Sequence, residues 1–377
     1  MDKKFVMGIA AMAALTLVSC SSDDLDSFSD NSSKNEAISF DGYLGRSAVA
    51  VNGTRGSEET VSTLKTNGFG VFGTYTTTDG QASNLFDNQK VTYFTSTTPT
   101  ESKWTYSPLK FWPANGKIDF LAYAPYDKNT TLTGGSKIEN FIVDENIAKQ
   151  KDLLWTNDMN HQITGNITTA KEKVKFQFHH ALSRLGYTVT LSGDYSTSGA
   201  TFTVNKITLA GSSDGTKKAF YKMGTIDLSK IVTKDNTEKN KEDLSKTNTE
   251  TGLWTAEPSD GNKQNFDLVS SDQPLNQTGI KSDKNYLFVI PQDFTGADEL
   301  YVYVEYTINY GGTTGSVKNT VYKQIKKHFL QGKAYMLNLT IGLPIEFDVD
   351  LTEGVGVDDW GREDGIDIGS NDTPWER

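Results

Sequence analysis

Ile345-Glu346-Phe347-Asp348-Val349-Asp350-Leu351 alternates without a break, with apolar side chains on one face and carboxylates on the other. An extended chain points successive side chains to opposite sides, so a period of two marks a strand with one buried face. Working outward, the same period recurs upstream. Ala334 to Ile341 carries it through Tyr335, Leu337, Leu339 and Ile341, and Tyr301 to Tyr310 through Val302, Val304, Tyr306 and Ile308. In the first half, Val174, Phe176 and Phe178 form one apolar face, and Ile38, Phe40 and Leu44 form another. Phe69 to Tyr75, Lys90 to Phe94, Ile118 to Ala124, Asp152 to Thr156, Phe202 to Leu209, Phe220 to Ile226 and Tyr286 to Ile290 also read as strands. Lys230 to Ser282 reads as a long surface excursion with one or two short strands. His180 to Leu185 interrupts the period and reads as a single helical turn, after which alternation restarts. Short strands at regular spacing with almost no helical period predict an all-β protein: two β-sandwiches in series, residues 37–184 and 185–351, with an acidic tail over 352–377.

The N-terminus is of a different kind. Lys3 and Lys4 precede an apolar run from Phe5 to Val18, which is too short for a stable membrane span and is laid out as a secretory signal peptide, residues 1–19. Leu17-Val18-Ser19-Cys20 resembles the bacterial lipobox, which implies that Cys20, the single cysteine, is lipidated and becomes the first residue after cleavage. Two or three acyl chains at about 0.8 kcal/mol per buried methylene would anchor the chain to a membrane. Residues 20–36 are polar and read as a flexible tether. Their Ser21-Ser22-Asp23-Asp24 resembles the surface-export signal of Bacteroidetes lipoproteins.

A formal net charge of −11 argues against nucleic acid or anionic lipid as a partner held by charge. With Cys20 committed, no thiol remains for a disulfide. His161, His179, His180 and His328 show no metal-ligand spacing, and no phosphate loop, nucleophile elbow or dinucleotide fingerprint is present. The sequence therefore predicts no metal, no cofactor and no enzyme. Trp104, Tyr106, Phe111 and Trp112 could stack on a sugar, but their spacing mixes the two faces of a strand and suits packing better.

A set of ordered stretches carries a resemblance. Gly68-Phe69-Gly70-Val71-Phe72, Trp104-Thr105-Tyr106-Ser107-Pro108, Phe111-Trp112-Pro113 and Phe120-Leu121-Ala122-Tyr123-Ala124-Pro125 are followed by Phe178-His179-His180-Ala181-Leu182-Ser183-Arg184-Leu185. Leu287-Phe288-Val289-Ile290-Pro291-Gln292 and Gly332-Lys333-Ala334-Tyr335-Met336-Leu337-Asn338-Leu339 complete the set. Together they resemble the fimbrillin (Mfa-like) family of Bacteroidales lipoproteins, subunits of type V pili. The resemblance implies two transthyretin-like β-sandwich domains, an outer-membrane lipoprotein precursor, and a final place in a surface fimbrium as stalk, tip or anchor.

It also implies a cut after an arginine past the first strand, here Arg46 or Arg55, with Arg55 favoured by its small neighbours. Loss of the strand bearing Ile38, Phe40 and Leu44 would open a slot for a strand from another pilus subunit. The donor candidates are Ile345, Phe347, Val349 and Leu351, with Val355–Trp360 as an extension. The same residues serve equally as the last strand of their own sandwich, and both readings stand. A host or bacterial surface ligand would be a further partner. The alternative function is a surface glycan-binding lipoprotein that does not polymerise.

Overall fold

In a computed structural model, the described residues are 37–44, 58–98, 103–163, 173–230, 253–282, 286–311, 315–343 and 346–353. Their regular structure is almost all strand, as the period of two predicts. One sheet runs in the order β1 (Phe40–Leu44), β8 (Val174–His180), β7 (Leu154–Gln162), β5 (Lys117–Ala124), β2 (Phe69–Thr76), β3 (Ala82–Phe94) and β4 (Lys103–Thr105). Every pairing in it is antiparallel except the first: β1 lies parallel to β8, with Phe40 opposite Val174 and Leu44 opposite Phe178.

This sheet is buried on both faces, and β5 shows why its sequence reads as nearly continuous apolar residues. Ile118, Phe120, Ala122 and Ala124 enter one core together with Ile38, Phe40, Leu44, Phe69 and Phe176. The intervening Leu121 and Tyr123 enter a second core, which extends through the rest of the chain. A strand buried on both sides loses the apolar–polar alternation of a half-exposed one.

The second core is built mainly on two further sheets. In the first, β9 (Ser183–Leu191) lies between β17 (Ile280–Lys281) and β23 (Ala334–Gly342), β24 (Glu346–Glu353) forms the edge beyond β23, and β18 (Leu287–Val289) also pairs β9. In the second, the order is β15 (Phe266–Val269), β10 (Thr201–Ala210), β20 (Leu300–Asn309) and β21 (Ser316–Ile325), with β16 (Gln273–Leu275) also on β10. Leu300, Val302, Val304, Tyr306 and Ile308 of β20 are all buried, so its inward face is the one expected from sequence. Smaller ribbons pair β6 (Lys137–Ile142) with β12 (Met223–Asp227) and β12 with β13 (Trp254–Thr255). Others join β11 (Phe220–Tyr221) to β14 (Lys263–Gln264), and β19 (Gln292–Asp293) to β22 (His328–Phe329).

Two expectations need correction. His180 to Leu185 is not a helical turn: the chain passes from β8 through Ala181 and Leu182 directly into β9. Ala181 N–H donates to Leu153 O at 2.8 Å and Arg184 N–H to Lys333 O at 3.0 Å, so this crossing is held by neighbouring strands rather than by its own turn. The excursion over Lys230 to Ser282 is also more ordered than expected. Its described part, from Leu253 onward, contributes five short strands and buries Phe266, Val269 and Leu275. One helix, α1 (Val61–Asn67), has no counterpart in the sequence reading. Thr60 caps it reciprocally with Thr63, and Gly68, at φ 72°, ends it. No helix among the described residues is long and apolar enough to cross a membrane.

Candidate functional site

The first strand is the closing stave of the curled sheet. Sheet order puts β1 and β4 at opposite ends, yet the two meet: Trp104 of β4 donates its Nε1–H to Gly42 O of β1 at 3.1 Å. Tyr106 donates its hydroxyl to Ile38 O at 2.7 Å, Ile38 N–H donates to Lys110 O at 2.8 Å, and Ala37 bridges Phe111. β1 is therefore gripped on one edge by the β8 ladder and on the other by the Trp104–Phe111 segment.

Its inward side chains fill an aromatic slot. Ile38, Phe40 and Leu44 are all buried. The Phe40 ring stacks on Phe176, with centroids 5.5 Å apart and planes at 12°. It also meets Phe86, Tyr106 and Phe120 at 5.3, 5.4 and 5.9 Å. Between Phe40 and Leu44 sits Gly42, where a Cβ would come within 2.9 Å of Phe69 Cε1. The absent side chain makes room for the Phe69 ring. Tyr43 turns outward and is exposed. Burial of the three apolar side chains contributes about 1.5–3 kcal/mol each before entropy is subtracted.

Past the segment 45–57, the chain is pinned again at once. Glu59 N–H donates to Asp152 Oδ2 at 3.1 Å, and the same Asp152 oxygen meets His180 Nδ1 at 2.7 Å. Asn67 donates to Glu59 Oε1 at 2.9 Å, while Glu58 pairs with the buried Arg184, whose guanidinium lies 4.3 Å over the Tyr286 ring. Burial, and after it the Asp152 carboxylate, push the Glu59 carboxyl up to about 7, against smaller lowering from Thr63, Asn67 and His180. Residues 58 and 59 thus hold the chain to Arg184 of β9 and to Asp152, which lies just ahead of β7 and bonds His180 of β8, immediately beyond the segment that contains Arg46 and Arg55.

Cys20, Arg46, Arg55 and Val355–Trp360 lie outside the described residues, as does Ile345. Phe347, Val349 and Leu351 lie on β24, where they are buried against the second core and pair with Ile341, Leu339 and Leu337 of β23. Of the aromatic cluster, Trp104 and Trp112 are buried, Tyr106 is half-buried with its hydroxyl bound, and only Phe111 is exposed. His161 stacks on Trp112 at 5.1 Å and bonds Asp158. Among the described residues no group of three or more His, Cys, Asp or Glu side chains could hold a metal ion. The sequence reading found β1 and its inward face. It missed the grip of Trp104 and Tyr106 on β1, because a side chain bonding a backbone carbonyl 62 or 68 residues away leaves no local pattern.

The fimbrillin-like family model matches residues 54–360. The chain belongs to the fimbrillin-like family. This is a family of structural fimbrial components, and the strand β1 lies ahead of the matched region. Over 398 aligned positions the fimbrillin-like chain is 28% identical to the fimbrium subunit Fim1C of Phocaeicola vulgatus, an alignment that covers 96% of this chain and 97% of the relative. The crystal structure of a fimbrial protein from Bacteroides vulgatus matches its fold with a TM-score of 0.58 at 22% identity, covering 84% of this chain and 98% of that one.

Proposed function

We propose that this chain is a subunit of a surface fimbrium, exported as an outer-membrane lipoprotein through Cys20 and assembled by strand exchange after an arginine is cut. The observation that carries the reading is the placement of β1. It is a separate stave at the end of its sheet, seated by three apolar side chains, and it joins the rest of the fold through the segment that holds both candidate arginines. Cutting after Arg55, or after Arg46, would sever β1 from the body while Glu58 and Glu59 keep the new end in place. Departure of β1 would expose the β8 edge and an aromatic slot, and a strand of another subunit would fill both by β-augmentation. The match of the family model to residues 54–360 supports this division. The burial of Trp104 and Trp112 weighs against the glycan-stacking alternative.

Treatment of the full chain with an arginine-specific protease tests the assembly step. The expected product is a ladder of oligomers on a denaturant-free gel, with the N-terminal strand missing from each assembled subunit. Clean monomers after complete cleavage at both arginines would contradict it. Labelling of cells with a palmitate analogue tests the anchor: wild type should incorporate label and Cys20→Ala should not. Mass spectrometry of the N-terminus on intact cells would distinguish a chain beginning at Cys20 from one beginning past an arginine, and so an anchor from a polymerising subunit.

A further inference from the structure

A cleft of about 480 Å³ opens where the loop after β5 faces β6 and the residues just ahead of β7. Tyr126 of the loop, Ile138 and Phe141 of β6, and Leu153 give it an apolar wall. The wall is built in advance. Tyr126 N–H donates to Gly68 O at 3.2 Å, and Asn88 Nδ2 donates to Asp127 O at 2.8 Å and to Thr130 O at 2.9 Å, which pins the loop along its length. Leu153 O accepts from Ala181 N–H, and the Phe141 ring rests against Trp254 with centroids 5.6 Å apart. A preformed apolar recess of this size suits a small organic ligand, because little of the protein has to be ordered on binding.

The charged groups that line the cleft are committed unequally. Asp152 is buried, with Oδ2 accepting from Glu59 N–H and meeting His180 Nδ1, and Oδ1 accepting from Leu153 N–H. Asp127 is exposed, and its Oδ1 accepts from both the N–H and the Nδ2 group of Asn129. Lys128 and Lys151 are exposed too, and neither makes an ion pair or hydrogen bond with another described residue. The hydroxyls are also taken: Tyr123 donates to Asp127 O at 2.7 Å, and the Thr130 side chain bonds Tyr123. What the cleft leaves uncommitted is an apolar wall and two ammonium groups.

We infer that this cleft binds a small carboxylic acid with an apolar aromatic or alicyclic ring, the ring lying against Tyr126 and Phe141 and the carboxylate held by Lys128 and Lys151. Burial of the ring drives the binding, and the two ammonium groups choose an anion over a neutral or cationic ligand. A sugar is the poorer occupant. Each hydroxyl drawn out of water needs a new partner, and the committed polar groups here have few to give. Lys90 already lies 5.1 Å over the Tyr126 ring, so the ligand meets only the other face of that ring. Asp127 opposes the ligand's charge and keeps the affinity modest. Tyr123, Ile138 and Leu153 belong to the second core and not to the one that β1 fills, so binding needs no strand exchange.

Titration calorimetry of the uncut chain at low salt tests the site, with hydrocinnamate and cyclohexanecarboxylate as probes. Hydrocinnamide, the same ring without the charge, and glucuronate, a hydroxylated ring with the charge, are the controls. The expected result is saturable binding of both probes, several-fold tighter than either control. Lys128→Gln with Lys151→Gln should weaken hydrocinnamate to the level of its amide and leave the amide unchanged. Both lysines are exposed and unpaired, so an unaltered urea midpoint should accompany that loss. Asp127→Asn should tighten hydrocinnamate several-fold, and Phe141→Leu should weaken acid and amide alike. Equal binding of acid and amide, or indifference to the lysine changes, would overturn recognition by charge. Tighter binding of glucuronate than of hydrocinnamate would replace the apolar ring with a sugar and refute the assignment. Heats that never saturate with either probe would remove the site altogether.

Discussion

The first and last described strands resemble each other in sequence and differ in how they are held. β24 is an edge strand with eight residues paired in one antiparallel ladder on β23, and its apolar side chains close one end of the second core. β1 pairs with β8 over five residues in parallel, then gains a second grip from Trp104, Tyr106 and Lys110 on its other edge. A strand bonded along one edge can peel away and leave its sheet otherwise intact. A strand seated between two edges leaves a shaped vacancy with unsatisfied backbone on one side and hydrogen-bonding side chains on the other. The lesson is that an alternating strand becomes a plug or a flap according to what meets its second edge.

The largest expected effect sharpens that contrast. Phe40→Ala and Phe347→Ala each delete a buried ring and should each lower stability by about 3–5 kcal/mol in urea unfolding of the uncut chain. After cutting and release of β1, the Phe40→Ala loss should vanish and the Phe347→Ala loss should persist. Equal losses before and after cutting would break the distinction.

The next concerns the hold on residues 58 and 59. Glu59 has a folded-state pKa of about 7 against an ordinary 4.5, so the folded state binds the extra proton between these values. The contribution of this group to stability is therefore fully present below about pH 4.5 and is lost as pH rises through about 7, on the order of 3 kcal/mol at most. Glu59→Gln should flatten that slope in urea titrations across the same range. An unchanged slope would mean that Glu59 is not the group responsible.

A smaller effect comes from Gly42→Val, which crowds Phe69 and Phe178 and should cost about 1–3 kcal/mol. A poorer seat for β1 should also speed its release after cutting. The smallest comes from Lys323→Ala, which removes an exposed pair with Asp348 on β24 and should change stability by less than about 1 kcal/mol.

Much of the fold was legible because its strands are half-buried, so their exposed residues punctuate the pattern. β20, β23 and β24 were readable for that reason. β21 was not: it buries Asn319 beside Val321 and Ile325, and most of its other side chains are partly or fully exposed, so apolar periodicity scarcely marks it. α1 buries only Leu64, and seven residues are too few for a helical period to show. At the site, the apolar face of β1 was written in Ile38, Phe40 and Leu44. The buried Glu59–Asp152–His180 cluster was not, because its members are scattered over more than a hundred residues and meet only when β7 and β8 pair.

The central claim is that β1 must leave before another strand can enter. Asp41 and Lys175 face each other across the β1–β8 ladder, so Asp41→Cys with Lys175→Cys, in a Cys20→Ser chain, can lock the stave by a disulfide. The account predicts that the oxidised, arginine-cut protein stays monomeric and that adding reductant releases it into ladders. Ladders that grow equally well while the lock is closed would contradict it.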